Sequence, residues 1–592
     1  MEILFSRRTL LRSAVAAAMA PAVLAARPAL AATAAAFVDD YKTNVTGNLT
    51  ADTNAAVRIL SGMQRLWRTG TAWNTGTALD EATLRANLRY CVRITGHRSA
   101  ADEARAFIQD RQHQSYAAIA GLGPLAASYK AGALAVTGIT AAPAGTPATK
   151  IDDAVPADAP AGSALGAGSA TSALGQVVTL VNTVRGAYSS GNPSKAAYQY
   201  PRPWRMNAAS QVVDTGAVDD LGFPIYDSPV TVVPQLLRQR STTPAEDGGF
   251  PSGHTNAFYL AALAFAYAVP ERFQELVTAA FDLAETRIVA GMHSPVDVIG
   301  GRILATALAA AILNDPANAT VKTAARAQAL SYFGPGITAD AHRADPTDAY
   351  ASRAANERIV TPKLTYGLPR GRSNAEMVVP TGAEVLLETR QPYLTAAQRR
   401  EVLRTTALGA GWPLLDGTEF WGRLNLFAAA DGYGAFDRDV VVTLDGTAAD
   451  AWRNDIDGRG GLIKRGTGTL TLTGHNSYRG GTTVAAGTLA AASRTALGCG
   501  DVLLTGGTLQ AADLTVNGDY RQQTGTLIAR GGHLDVRGDA VLGTQSVLEV
   551  HGETVLRARR VSGKFGKVVA PAGYQATVTY TRTTVTVRLR RG

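Results

Sequence analysis

The triplet Gly-Thr-Leu recurs at Gly468, Gly487, Gly507 and Gly525, at intervals of 19, 20 and 18 residues. Between the triplets lie short β-branched runs, such as residues 469–473, and turn residues such as Gly474-His475-Asn476. A unit of this length cannot bury its apolar side alone, but it can when stacked on copies of itself. From about Leu444 onward the spacing therefore predicts an all-β, solenoid-like domain. Residues 574–590 alternate apolar and polar around Thr581-Arg582-Thr583, which predicts a hairpin near its end.

Upstream the period is helical. At 592 residues the chain is too long for one ordinary core. Apolar residues fall at helical spacing over 79–94, 101–119 and 172–185. Residues 142–168, rich in Ala, Pro, Gly and Thr, predict a long surface loop. A helix is predicted from about Ser252 to Ala268, stopped by Pro270, and a second to about Val289, ended by Gly291. A third opens at Ser294-Pro295, an N-cap followed by proline at the first helical position. Thr395 and Gln398 form a capping box for a helix over 396–408. The expectation is an all-α domain over 33–313, a partly helical bridging segment over 314–443 and the β-solenoid over 444–592.

The N-terminus reads Ser6-Arg7-Arg8-Thr9-Leu10-Leu11, then an Ala-rich apolar run and Ala29-Leu30-Ala31, a small-x-small cleavage site. Residues 1–32 are thus predicted to be a signal peptide. The paired arginines resemble a twin-arginine signal, which exports folded cargo; an ordinary Sec signal with a chance Arg pair is the alternative. Residues 257–269 and 298–313 are short or broken by Gly300, Gly301 and Arg302, below the ~18 apolar residues a spanning helix needs. No transmembrane segment is expected, and the mature protein is expected to be soluble and exported, periplasmic or at the cell surface. Cys91 and Cys499 fall in different predicted domains and do not argue for a disulfide. From His551 to Gly592 nine Lys/Arg stand against one acid, Glu553, so most of the formal charge of +9 lies there. Such a tail suits an anionic envelope surface, or a solvated strand edge guarded by charge. Nothing points to nucleic acid.

The chemistry lies in three segments: Lys195-x6-Arg202-Pro203, Pro251-Ser252-Gly253-His254 and Arg287-x5-His293-x3-Asp297. Ser252 and Gly253 at a helix start let backbone N–H groups approach an anion, with His254 projecting from the first turn. Asp297 can accept from His293 Nδ1–H, so that Nε2 faces a substrate as nucleophile. As the third residue after Ser294 it can equally serve as a capping-box acid, and the two roles can coexist. Lys195, Arg202 and Arg287 supply fixed cations, the arginines as planar forks matched to phosphate oxygens. One chemical logic on segments flanking a helical hairpin suits a tetrahedral oxyanion.

These motifs closely resemble the three-part signature of the type-2 phosphatidic acid phosphatase superfamily, which includes soluble bacterial class A acid phosphatases, membrane lipid phosphatases and vanadium haloperoxidases. The resemblance covers about Ala36 to Leu313. Thr286 stands where the family pattern usually has serine. The resemblance implies an all-helical domain with its site between helices. It also implies that His293 attacks phosphorus, Asp297 orients it and His254 protonates the leaving alkoxide. Lys195, Arg202, Ser252, Gly253 and Arg287 would then hold the phosphoryl oxygens, with no metal or other cofactor. The expected function is an exported acid phosphatase acting on small-molecule phosphomonoesters through a phosphohistidine. Two rivals are a haloperoxidase with vanadate on His293 and an adhesin whose helical domain has lost activity. Residues 461–474, with Asn476, Tyr478, Gly480 and the run at 482–484, resemble an autotransporter-associated β-strand repeat. The ~100 residues after it are too few for a translocator barrel, and the last residue is Gly592, so self-transport is not expected. Display, anchoring and stabilisation all remain open.

Overall fold

The computed structural model describes residues 35–592; the signal-peptide reading of residues 1–32 lies outside them. Three consecutive helices, Gly253–Ala268, Phe273–Val289 and Pro295–Asn314, form the centre of the helical half. They are apolar nearly all round, which suits helices surrounded by protein. Every residue from Pro295 to Leu313 is buried. The expectation that Gly300, Gly301 and Arg302 leave this apolar run below spanning length is not met. The helix runs 20 residues unbroken and is apolar enough to cross a membrane, yet it lies wholly inside the protein. The two glycines serve packing. A Cβ on Gly300 would sit 2.3 Å from the Phe250 ring, and one on Gly301 2.7 Å from the Ser252 carbonyl oxygen. Their absence lets the loop carrying Ser252 lie directly on this helix.

Around this centre pack Glu81–His97, Ala100–Arg111 and Gly175–Val184. The helix expected over 101–119 breaks at Gln112, whose backbone is extended. It restarts as Gln114–Ala118, with the His113 side chain accepting from Ser115 N–H. The helix opened by the Thr395/Gln398 capping box ends at Thr405, three residues short of the expected 408. There the Thr405 and Thr406 hydroxyls donate to carbonyls of the preceding turn. Ala319–Phe333, Arg353–Lys363 and Ala396–Thr405 come from the stretch read as a bridge. Its Leu386, Leu387 and Trp421 belong to the same hydrophobic core as the central helices.

The β half is a parallel solenoid with two seven-stranded sheets and a third face of five strands. The leucines of the Gly-Thr-Leu triplets stack in register, Leu470 on Leu489 on Leu509 on Leu527, and all four are buried. Gly487, Gly507 and Gly525 turn the chain with φ of +64°, +59° and +79°, where a side chain would be strained. The expected hairpin forms from Tyr574–Tyr580 and Thr584–Arg591 and lies antiparallel on the third face. The first coil is fixed to the helical half. Arg390 pairs with Asp450 at 2.8 Å, Trp452 Nε1 donates to the Tyr393 hydroxyl at 2.8 Å, and buried Asp431 accepts from Arg453, Arg353 and Gln274.

Candidate active site

The three motifs converge through backbone contacts. Ser252 caps the Gly253–Ala268 helix through Thr255 N–H at 3.3 Å. Its own N–H donates to the Asp297 carbonyl at 2.9 Å, and Gly249 N–H donates to the Tyr200 carbonyl at 2.6 Å. A Cβ on Gly249 would lie 3.0 Å from the Pro201 carbonyl oxygen and 3.1 Å from Asp297 Oδ2. The bare glycine therefore lets the strand before Ser252 slide between the Arg202 segment and the Asp297 helix.

His293 follows Gly291, whose φ is +74°, and its N–H donates to the Arg287 carbonyl at 3.1 Å. Arg202 Nη1 lies 3.1 Å from His293 Nε2 and 3.0 Å from the Met292 carbonyl. An arginine only donates, so Nε2 is the bare nitrogen and the imidazole proton sits on Nδ1. Nδ1 lies 3.4 Å from Asp297 Oδ2. The expected hydrogen bond between them is not aligned, because Oδ2 takes the Ser294 N–H at 2.8 Å in the capping box. His293 Nδ1 and Asp297 Oδ1 are both buried without a hydrogen-bond partner. Opposite them, His254 Nε2 lies 3.1 Å from the Asp110 carbonyl oxygen. That oxygen only accepts, so His254 carries its proton on Nε2 and Nδ1 is left for chemistry. The Asp110 carboxylate pairs with Arg287.

Lys195, Arg202, Gly253 and His254 are half-buried, whereas Ser252, Arg287, His293 and Asp297 are buried. The first group forms the open side of the site and the second its floor. Burial, then the neighbouring charges of Arg202, Lys195 and Arg287, push His293 well below the usual imidazole range. Burial and the Arg287 charge lower His254 to about 3. Burial, then Arg202, lowers Lys195 to about 7. Burial raises Asp297 to about 7 against its bonds to Ser294. The cationic wall thus favours a neutral, nucleophilic imidazole and a bound anion.

Three further residues support the candidate site. Asp247 accepts from Arg202 Nε at 2.8 Å and from Arg205 Nη2 at 3.0 Å, aiming the Arg202 fork. Its place just ahead of Gly248-Gly249-Phe250-Pro251 was a readable signal. Asp110 lies 177 residues from its partner Arg287, and nothing local marks it. Asn87 Oδ1 accepts from Val296 N–H at 3.0 Å and its Nδ2 donates to the Tyr200 hydroxyl at 3.3 Å. Cys91 and Cys499 are both free thiols.

The fold thus joins a mainly helical domain, broken only by two small two-stranded sheets, Trp67–Arg68 with Thr77–Ala78 and Asp214–Val218 with Pro224–Tyr226, to a β-solenoid. Residues 176–320 match the model of the PAP2 superfamily, and residues 462–491 that of the passenger-associated-transport-repeat. The chain therefore carries a PAP2 superfamily domain and an autotransporter-associated repeat. It is similar to the non-specific acid phosphatase of Salmonella typhi, 42% identical over 57 residues, 10% of this chain and 23% of that protein. It is also similar to an extracellular serine protease of Serratia marcescens, 35% identical over 161 residues, 21% of this chain and 15% of that one. A third relative is the Neisserial autotransporter lipoprotein NalP of Neisseria meningitidis serogroup B, 38% identical over 114 residues, 18% of this chain and 10% of that one. The matched stretches thus span under a quarter of each of these relatives.

Proposed function

We propose that this chain is an exported phosphomonoesterase working through a phosphohistidine. The observation that carries the reading is the Arg202–His293 contact, which leaves His293 neutral with Nε2 bare on the cationic side of the site. An entering phosphoryl group gives Arg202 a better acceptor and releases Nε2 for attack. Lys195, Arg202, Arg287 and the Gly253 and His254 amides at the helix start then meet the charge on the equatorial oxygens. A phosphoester that binds as its monoanion leaves its P–OH proton on the bare His254 Nδ1; the Nε2–P bond then forms as the ester P–O bond breaks, and the leaving alkoxide takes that proton from Nδ1. A water then attacks the phosphohistidine, giving its proton to His254 and releasing phosphate and neutral His293. Asp297 stabilises the Nδ1–H side as positive charge develops on the ring.

Matches to an acid phosphatase and to exported autotransporter proteins support both the activity and the export. The test is a panel of aryl, sugar, nucleotide and lipid phosphates offered to purified mature protein, with a vanadate, halide and peroxide assay alongside. Phosphate release, with a phosphoenzyme trapped by alkaline quench, is the expected result. Halide oxidation without phosphate release would instead select the haloperoxidase reading.

A further inference from the structure

The solenoid is electrically polarised along its length. Residues 444–550 carry nine Lys/Arg against ten Asp/Glu, so the stem is near neutral. Residues 551–592 carry nine Lys/Arg against Glu553 alone. These residues form the last coil and the hairpin, at the opposite end of both seven-stranded sheets from the strands Val440–Thr443 and Ala449–Trp452 that adjoin the helical half. All nine cations are exposed. Arg557, Arg559 and Arg560 reach back to Asp535 and Asp539 of the preceding coils. Lys564, Lys567, Arg582, Arg588, Arg590 and Arg591 face no carboxylate within ion-pair distance among the described residues. Pleating explains the outward placement of two of them. Val585 and Val587 point into the core, so Arg588 and Arg590 on the alternate face point out.

Charged side chains on an edge strand guard it from aggregation. Six cations without a carboxylate partner, with a neutral stem behind them, exceed that need and concentrate positive potential on the last coil and the hairpin paired to it. We propose that this tip is a docking surface for a membrane rich in anionic headgroups. Six strand spacings separate the tip from the first coil, which would hold the phosphatase domain about 30 Å from the lipid.

The test is co-sedimentation of the full mature chain with vesicles of phosphatidylcholine alone or with about a third phosphatidylglycerol. Binding only to the anionic vesicles, lost as salt rises, is expected. At about fivefold per cation, the triple variant Arg588→Gln, Arg590→Gln, Arg591→Gln should bind roughly a hundredfold more weakly. The stem variant Arg459→Gln, Arg465→Gln, Arg479→Gln should match wild type, and all three proteins should hydrolyse a soluble aryl phosphate equally. Equal losses for both triple variants, equal binding to neutral vesicles, no binding at low salt, or capture of duplex DNA in preference to vesicles would each overturn the proposal.

Discussion

The two halves treat buried polar groups in opposite ways. In the solenoid, Lys464, Asn476 and Gln522 are buried, and each donates to backbone carbonyls in its own or the adjoining coil. Lys464 Nζ donates to the Arg465 carbonyl at 2.7 Å, Asn476 Nδ2 to Ala496 at 2.6 Å and Gln522 Nε2 to Gly525 at 2.9 Å. In the helical half, Arg287 Nε, His293 Nδ1 and Asp297 Oδ1 are buried with no partner. A buried polar atom left unmade costs about 1–3 kcal/mol, and native folds rarely tolerate several together. The solenoid uses polar groups to finish its own backbone. The helical half leaves a cluster of them at the proposed phosphoryl site.

The sharpest way to break that contrast is to remove one group from each half. His293→Ala should lower kcat by roughly 10⁴-fold or more and abolish the trapped phosphoenzyme, because the covalent route is gone. Lys464→Met should leave kcat within about twofold, read in the same assay. Similar losses from both would end the distinction. His254→Ala should cost about 10²–10⁴-fold on alkyl phosphates and distinctly less on aryl phosphates, whose leaving groups need no proton. A Brønsted plot against leaving-group pKa reads the difference.

Asp110→Asn leaves the buried Arg287 guanidinium without its carboxylate, at a cost of about 3–5 kcal/mol. Urea unfolding should show the loss, and it should exceed that of any single exposed ion-pair deletion in the solenoid, which is worth about 0–1 kcal/mol.

Next in size is a pH effect. Lys195 titrates at about 7, so its positive charge is present below that pH and lost above it. The kcat/KM for a phosphoester should therefore fall by up to tenfold per pH unit above about pH 7. Lys195→Gln should lower kcat/KM throughout and flatten that limb, and an unchanged limb in the variant would assign it elsewhere.

The smallest expected effect sharpens the boundary. A chain ending at Gly474 keeps Asp450, Trp452 and Arg453 on the helical half and should hydrolyse soluble substrates within about twofold of full length. A chain ending at Thr443 loses all three. It should unfold at lower temperature, because buried Trp452 packs against Tyr433 and Phe436. Equal melting temperatures for the two would show that the first coil contributes nothing to the core.

Legibility follows the range of the interactions. The solenoid could be read because each coil touches copies of itself about 20 residues away, so the period in sequence is the period in space. Helix starts at Ser252, Ser294 and Thr395 could be read because a cap is settled within four residues. The three motifs could be read because the cradle reuses those caps. Asp110, Asn87 and the two unbroken glycines of the Pro295–Asn314 helix could not, because their partners lie in segments joined only by folding. Composition alone marked the apolar run of that helix as too short or broken to span, whereas its neighbours supply the surfaces that the missing side chains make room for. The choice of nitrogen on each histidine is likewise tertiary. Residue type and spacing singled out two imidazoles and three cations as candidates for one anion site. Only packing set an arginine against Nε2 of His293 and a carbonyl against Nε2 of His254, and a proton's position is fixed by whichever donor or acceptor stands nearest.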